Sequence, residues 1–439
     1  MALLRQFYTN FTSGELTPLL SSRVDSNAYK NGTKKLRNFR MLSQGGIRRR
    51  GGFRYLQTLT NTAYQSEAYI YDEDEAYILL FSNTKLEVID ITAPTVITQT
   101  ITSCPWTTAM IGELKVSQSG DTMVVVHPDM AMQKLTRTAV DTFARTDYAF
   151  DTADGYIHQP YYKFADPAVT LDPTSTTTNN QTITASAAIF SSDWVGEEIE
   201  FTDTNNVVHH IEVIAYLTDT TITGKFDTAP HNANAVTTWK EQVFSSRHGY
   251  ARSVTFHDQR LIFGGSKDLP NHLFMSQAGE FFNFDVGTGL DDESIQVQIA
   301  ENQISEIKSL ASFRHLVIFT SEQELYVPTS ENRPLTPSTI AIKKQTSYGS
   351  GEVVPSDFDG ALVFLTKSKG AVREFVYSDV SQAYNADALT LLSPHLIGVP
   401  SQMVSQREAQ DQVEAYLYLV NSDGKMPVFM SIRKEQLQG

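Results

Sequence analysis

Along most of the chain, short runs of alternating or β-branched apolar residues are separated by Asn, Asp, Ser, Gly and Pro. That pattern predicts hairpins rather than helices. Six hairpin-like units are legible: 76–81 with 86–91, 123–127 with 132–135, 260–264 with 272–275, 315–319 with 325–327, 361–365 with 372–377, and 415–420 with 428–432. Abundant Thr suits strand surfaces. Helical periodicity is weak; Asn27–Leu42 and the short Ser381–Ala388 are the helix candidates.

The spacing of the units carries the fold expectation. First strands begin near 76, 123, 260, 315, 361 and 415, at intervals of 47, 137, 55, 46 and 54 residues. The long interval contains a segment of different character, 165–247, and removing its 83 residues leaves 54. A repeat of about 45–55 residues with several strands each is expected of a propeller with four-stranded blades. A β-sandwich series would give similar hairpins. The predicted fold is therefore mainly β, a β-propeller-like ring of short antiparallel strands with a small inserted β-barrel or sandwich domain. Its expected parts are an N-terminal arm (1–55), a first propeller part (56–164), the insert (165–247) and a second propeller part (248–439). In the insert, Trp194 and Trp239 are the expected core anchors. Such a module is placed to contact a partner, or is decorative.

Composition narrows the function. With 439 residues, 41% apolar and 10% aromatic, the chain has enough apolar matter for a real core. No run approaches the length of a membrane span, and the first residues turn polar too soon for a signal peptide. One cysteine, Cys104, leaves no partner for an internal disulfide and fits assembly in a reducing host cytoplasm.

Net charge is −15, which argues against a general nucleic-acid binder. Its distribution is uneven. Residues 1–54 hold 11 Lys/Arg against 2 Asp/Glu, whereas 55–439 hold 24 against 48. The cations Lys30, Lys34, Lys35, Arg37, Arg40, Arg48, Arg49, Arg50 and Arg54 have no acid among them. A basic arm on an acidic body predicts docking onto an acidic surface, such as a neighbouring copy. A solvated tail and a DNA-binding arm are the competing readings, though few helical stretches present these cations to a groove.

Catalytic constellations are absent from the pattern. The acidic clusters Asp72-Glu73-Asp74-Glu75 and Asp291-Asp292-Glu293 could serve glycoside hydrolysis or calcium, but adjacent acids point apart and no calcium-loop spacing surrounds them. They read as solvated loop acids. The ten histidines show no metal spacing, and His209-His210 on a strand face opposite sides. No nucleophile elbow, zinc-protease motif or phosphate loop is present, Cys104 reads as a buried structural thiol, and no cofactor or metal is expected.

The run Phe11-Thr-Ser-Gly-Glu-Leu-Thr-Pro-Leu-Leu20, then Arg23-Val-Asp25, Tyr29, Gly32, Asn38-Phe39 and Gly45-Gly-Ile-Arg-Arg-Arg50, resembles the opening of tail nozzle proteins of short-tailed bacteriophages, also called tail tubular protein B or virion stabilisation proteins. Further resembling blocks are 252–265 with Ser276 to Phe284, Ile340 to Gly349, and Arg373-Glu-Phe375 leading to Ala388–Ser393. Two departures stand out: the family's Arg-Arg-Pro-Gly is here Arg49-Arg50-Gly51-Gly52, and many relatives continue past the point of Gly439, so a distal tip is absent or supplied by another protein.

The resemblance implies a non-enzymatic virion tail component. It would be a hexameric ring below the portal and adaptor that extends the DNA-ejection channel and docks tail fibres or spikes. DNA would pass without specific binding, and no membrane would be spanned. The arm would then meet an adjacent subunit or the adaptor. Asp72–Glu75 and Asp291–Glu293 become candidate channel loops, since surplus negative charge repels phosphate; simple solubility explains the same charge. The alternatives are a propeller glycoside hydrolase or depolymerase acting on a host surface glycan through Asp291, Asp292 or Glu293, and a monomeric adhesion or scaffold domain.

Overall fold

The computed structural model describes residues 8–61, 64–152, 155–300, 304–329, 334–407, 414–432 and 437–438. Among them, six four-stranded antiparallel sheets follow one another as the blades of a β-propeller, and helix is confined to single turns. Blade 1 is Gln65–Ile70, Ala76–Ser82, Lys85–Asp90 and Gln99–Thr102; blade 2 is Lys115–Ser119, Thr122–His127, Met130–Ala139 and Thr142–Asp147. Blade 3 is Ser253–His257, Arg260–Gly264, His272–Met275 and Ile295–Gln298; blade 4 is Ile307–Ser312, Leu316–Thr320, Glu324–Val327 and Lys343–Thr346. Blade 5 is Ser356–Phe358, Ala361–Leu365, Val372–Ser378 and Ala383–Ala388; blade 6 is Pro400–Gln406, Ala415–Asn421, Val428–Ile432 and Leu437–Gln438.

Each hairpin visible in the sequence is the middle pair of a blade. Those strands are covered on both faces by neighbouring blades, so Arg260–Gly264, Leu316–Thr320 and Ala361–Leu365 are buried at every position. The flanking strands are amphipathic or polar; Lys343–Thr346 is exposed or half-exposed throughout. Tight turns follow from local chemistry. Asp258 and Gln259 both have positive φ between the paired His257 and Arg260, the two-residue geometry whose twist matches that of antiparallel strands.

Five apolar clusters join the blades in succession. Tyr69, Phe81 and Leu86 meet Met123, Val125 and Phe143 between blades 1 and 2. Val124 and Met132 meet Phe263 and Phe274 between blades 2 and 3, and Ile262 and Leu273 meet Ile318 and Leu325 between blades 3 and 4. Phe319 meets Phe364 and Phe375 between blades 4 and 5, and Val363 and Leu365 meet Met403 and Leu417 between blades 5 and 6. The free face of blade 6 is covered differently: Tyr416 and Met430 pack on Met41 of the N-terminal arm.

Between blades 2 and 3 sits a seven-stranded sheet. Its spatial order is Tyr161–Tyr162, Trp239–Gln242, Glu198–Thr202, Val208–Thr218, Thr221–Phe226, Gln181–Ala185 and Leu171–Pro173. A bridge from Leu171 to Val236 curls one end back. Trp194 and Trp239 are both buried in its core, and the Trp239 indole donates to the Val169 carbonyl at 2.8 Å.

Two expected helices are not formed. Over Asn27–Leu42 only Asn27–Lys30 is helical, and Phe39–Met41 pairs as a strand with Ile47–Arg49. The segment lacks a continuous apolar stripe. Gly32 presses so close to Leu16 that a Cβ there would lie 2.4 Å from Leu16 Cδ1. Ser381–Ala388 is instead the outer strand of blade 5, because alternate residues Tyr384 and Ala386 bury against Phe375.

Candidate functional site

The first strands of blades 2 and 3, 3 and 4, and 5 and 6 lie side by side, so their residues line the ring axis. Charged side chains gather there. Lys115, on the first strand of blade 2, donates from Nζ to the carbonyl oxygen of Glu352, which leads into blade 5, at 2.5 Å. Lys308 of blade 4 contacts the carboxylates of Glu306 and Glu352, each at 2.5 Å. Arg252, leading into blade 3, pairs with Glu306 at 2.5 Å. Glu67 of blade 1 accepts from Gln65 at 2.8 Å. Lys308 and Arg252 thus share the carboxylates of Glu306 and Glu352, while Lys115 bonds a backbone carbonyl and Glu67 a neutral amide; the six residues come from five blades.

Burial and charge act against one another in this cluster. Burial pulls the Lys115 ammonium below its ordinary pKa, only partly countered by Glu352 and Glu67. Burial likewise raises the Glu67 carboxyl. Lys308 moves the other way: despite burial, its bonds to Glu306 and Glu352 hold the proton on. The axis of the single propeller is therefore a charge-compensated plug. A DNA duplex, whose major groove alone is about 12 Å wide, does not pass between strands that one lysine side chain bridges.

The N-terminal arm folds onto its own ring. The Glu15 carboxylate accepts from the Leu36 amide at 2.7 Å and from Arg37 at 3.2 Å, and meets His395 at 3.3 Å. Ser393 donates to the Glu15 carbonyl, and the Thr17 amide donates to the Leu392 carbonyl at 2.8 Å. The hairpin Phe39–Met41/Ile47–Arg49 is held by Tyr416 Oη donating to the Met41 carbonyl at 2.9 Å and by the Ser43 amide donating to Glu414 at 2.7 Å. Glu15, within the N-terminal motif, is thus the arm's hub; its place in a polar-rich run gave no chemical signal of that role.

The predicted docking cations divide accordingly. Arg37 pairs with Glu15. Arg40 lies over the rings of Tyr416 and Tyr418, 5.1 and 5.7 Å from their centroids. Arg50 donates to Asn38 and the Gly51 carbonyl and stacks on Phe53. Lys30, Lys34, Lys35, Arg48, Arg49 and Arg54 are solvent-exposed, as are Leu19, Val24, Phe53 and Tyr55 of the same segment.

The acidic loops also divide. Asp72, Glu73 and Asp74 are exposed at the first turn of blade 1, where Asp72 accepts from the amides of Asp74 and Glu75. Glu75 instead forms a two-pronged pair with Arg137 of blade 2, both bonds at 2.5 Å. Those bonds, with one from Tyr77, hold its carboxyl below the ordinary value. Asp291 and Asp292 are exposed. Glu293 accepts from Leu290 N at 2.7 Å and from Gly289 N and Thr288; although burial opposes ionisation, these donors keep its carboxyl low. The buried Arg260 guanidinium binds the carbonyls of Ser276, Glu293 and Asp291 at 2.6, 2.7 and 3.1 Å. Glu293 thus braces its own loop and is poorly suited to deliver a proton to a glycosidic oxygen. The Cys104 thiol is buried, and burial pushes its pKa up to about 11, away from nucleophilic chemistry.

Arg247 and Glu241 join the seven-stranded sheet to the ring. Arg247 binds Glu197 at 2.7 Å and Glu241 at 3.0 Å, and its guanidinium covers Trp194 at 3.7 Å from the ring centroid. His248 adds contacts to Glu241 at 3.0 Å and Asp268 at 2.7 Å.

A family profile described as bacteriophage nozzle protein matches residues 249–412, from the entry to blade 3 into blade 6. This match supports a phage tail protein with a structural role. No curated protein matches the chain. Similar solved structures include a protein from Lactobacillus plantarum, 10% identical over 78% of this chain and 87% of that one, with a TM-score of 0.33. Another is the Dos1 propeller, 9% identical over 90% and 81%, also at 0.33. A third is AztD from Citrobacter koseri, 10% identical over 81% and 77%, at 0.31.

Proposed function

We propose that this chain is a non-catalytic tail nozzle subunit, built into the virion after assembly in the host cytoplasm. Copies of it, six by expectation, form a ring below the portal and adaptor. The match to bacteriophage nozzle proteins over residues 249–412 carries the reading. The plugged propeller axis adds a constraint: the route for DNA runs between copies, around a common axis, and not through any one propeller.

Heterologous contacts in a cyclic ring need two complementary faces per copy. Exposed Lys34, Lys35, Arg48 and Arg49 supply the basic partner, and the acid excess of residues 55–439 supplies the acidic one. Leu19, Val24, Phe53 and Tyr55 of the same N-terminal segment are exposed as well and add apolar area to the basic partner. The exposed Asp72, Glu73, Asp74, Asp291 and Asp292 are the proposed channel-facing acids, while the seven-stranded sheet is the proposed seat for a fibre or spike. Native mass measurement and electron-microscope imaging of the purified chain, alone and with the adaptor, test this. Six-fold rings with an open centre are the expected result; a monomer under both conditions contradicts it.

A further inference from the structure

Three side chains from separate segments of the seven-stranded sheet converge at one end. Asp203 follows the strand Glu198–Thr202, His209 lies on the neighbouring strand Val208–Thr218, and His231 follows the strand Thr221–Phe226. Asp203 and His209 are buried and His231 is half in solvent. One ligand atom from each lies within 4.8 Å of the other two. We propose that Asp203, His209 and His231 bind a divalent transition-metal ion of the zinc type, which staples the turns around residues 203–207 and 227–231.

Hydrogen bonding orients the carboxylate for this. Asp203 Oδ1 accepts from the Asn205 and Val207 amides at 2.8 and 3.0 Å. Oδ2 is left facing His209 Nε2 at 3.3 Å and His231 Nδ1 at 2.9 Å, with the His231 amide also donating to it at 3.2 Å. Bonds of roughly 2.0–2.1 Å to a tetrahedral zinc place neighbouring ligand atoms about 3.3 Å apart, so small shifts accommodate the ion.

Thr228 and Asp227 bias the tautomer of His209. His209 Nδ1 lies 2.8 Å from Thr228 Oγ1, and that hydroxyl is also 3.2 Å from Asp227 Oδ1. A hydroxyl has one proton. When it goes to the Asp227 carboxylate, His209 Nδ1 is the donor and Nε2 turns a lone pair toward Asp203 Oδ2. Two acceptors then face one another, an arrangement that a cation between them resolves. A ligating histidine whose other nitrogen is held by an outer partner is the usual metal-site design. Two neutral imidazoles and one carboxylate suit zinc and leave a fourth position for water. Spacing along the sequence hid this site, because its ligands come from one strand and two connecting segments and share no motif.

Titration of the chelator-treated full chain with zinc chloride by calorimetry tests the site, with Co2+ absorption reporting its geometry. Expected results are one bound zinc per chain, a raised Tm and tetrahedral Co2+ bands. H231A, at a half-exposed position, loses zinc affinity by about 100-fold or more and its Tm no longer rises with zinc; T228V loses about 10-fold in affinity. Failure of the wild-type chain to bind zinc at neutral pH, or unchanged affinity in H231A, overturns the proposal.

Discussion

The Nζ of Lys115 meets the backbone carbonyl of Glu352 at 2.5 Å, joining the first strand of blade 2 to the entry of blade 5 across the ring axis. Burial lowers the Lys115 pKa, so the folded state holds that proton less tightly than the unfolded chain does. The resulting penalty is full below the folded-state pKa and fades as pH rises toward the unfolded value. K115M, which keeps the stem and removes the charge, is therefore expected to stay within about 1 kcal/mol of wild type or gain stability. E306A strips the acceptor from Arg252 and Lys308 and is expected to cost about 1.5–3 kcal/mol. Urea unfolding compares them, and a larger loss in K115M contradicts the account of the axis.

The arm closes the exposed face of blade 6 through a small apolar contact and one buried hydroxyl. M41A is expected to cost about 2 kcal/mol, and Y416F, which removes the bond to the Met41 carbonyl, about 1 kcal/mol. Both release the Lys- and Arg-rich hairpin, so limited trypsin digestion cuts residues 30–54 faster than in wild type. Unchanged digestion in both variants rules out the clasp.

Arg247 is the partner shared by two buried carboxylates, Glu197 and Glu241. Its removal leaves both without that countercharge, and R247A is expected to lose about 3 kcal/mol. Trp194 lies under the guanidinium, so a change in tryptophan emission, to which Trp106 and Trp239 also contribute, accompanies the loss, and urea unfolding measures it.

Acid sensitivity follows from Glu75. Its folded-state pKa lies below the ordinary 4.5, so its pair with Arg137 stabilises fully above that value and is lost as pH falls through the folded pKa. E75Q is expected to flatten the acid limb of the stability profile and leave the alkaline limb unchanged. Thermal melts across pH measure it.

Charge at the arm governs assembly in the proposed ring. The quadruple variant K34A/K35A/R48A/R49A alters only exposed side chains, so each change is worth within about 0.5 kcal/mol of stability. The expected outcome is an unchanged Tm with weaker association, and wild-type rings that loosen as salt rises. Sedimentation velocity at two salt concentrations reads both. Full assembly by the variant contradicts a docking role for these cations.

Sequence alone determined the blade repeat, because the middle strands of each blade are buried on both faces and read as unbroken apolar runs such as Leu261-Ile-Phe263 and Leu362-Val-Phe-Leu365. It also determined the basic-to-acidic polarity, which is a matter of composition. The outer strands stayed hidden: Lys343–Thr346 is polar because solvent meets it, and Ala383–Ala388 mimics a helix until Phe375 selects alternate residues. Tertiary structure alone decided which charges are spent inside the molecule. Glu75 and Glu293 look like their neighbours in sequence, yet Arg137 claims one and a loop backbone the other. Glu15, the axial cluster and the Asp203–His209–His231 group unite residues far apart along the chain, and local pattern carries no record of contacts made only when distant strands close on one another.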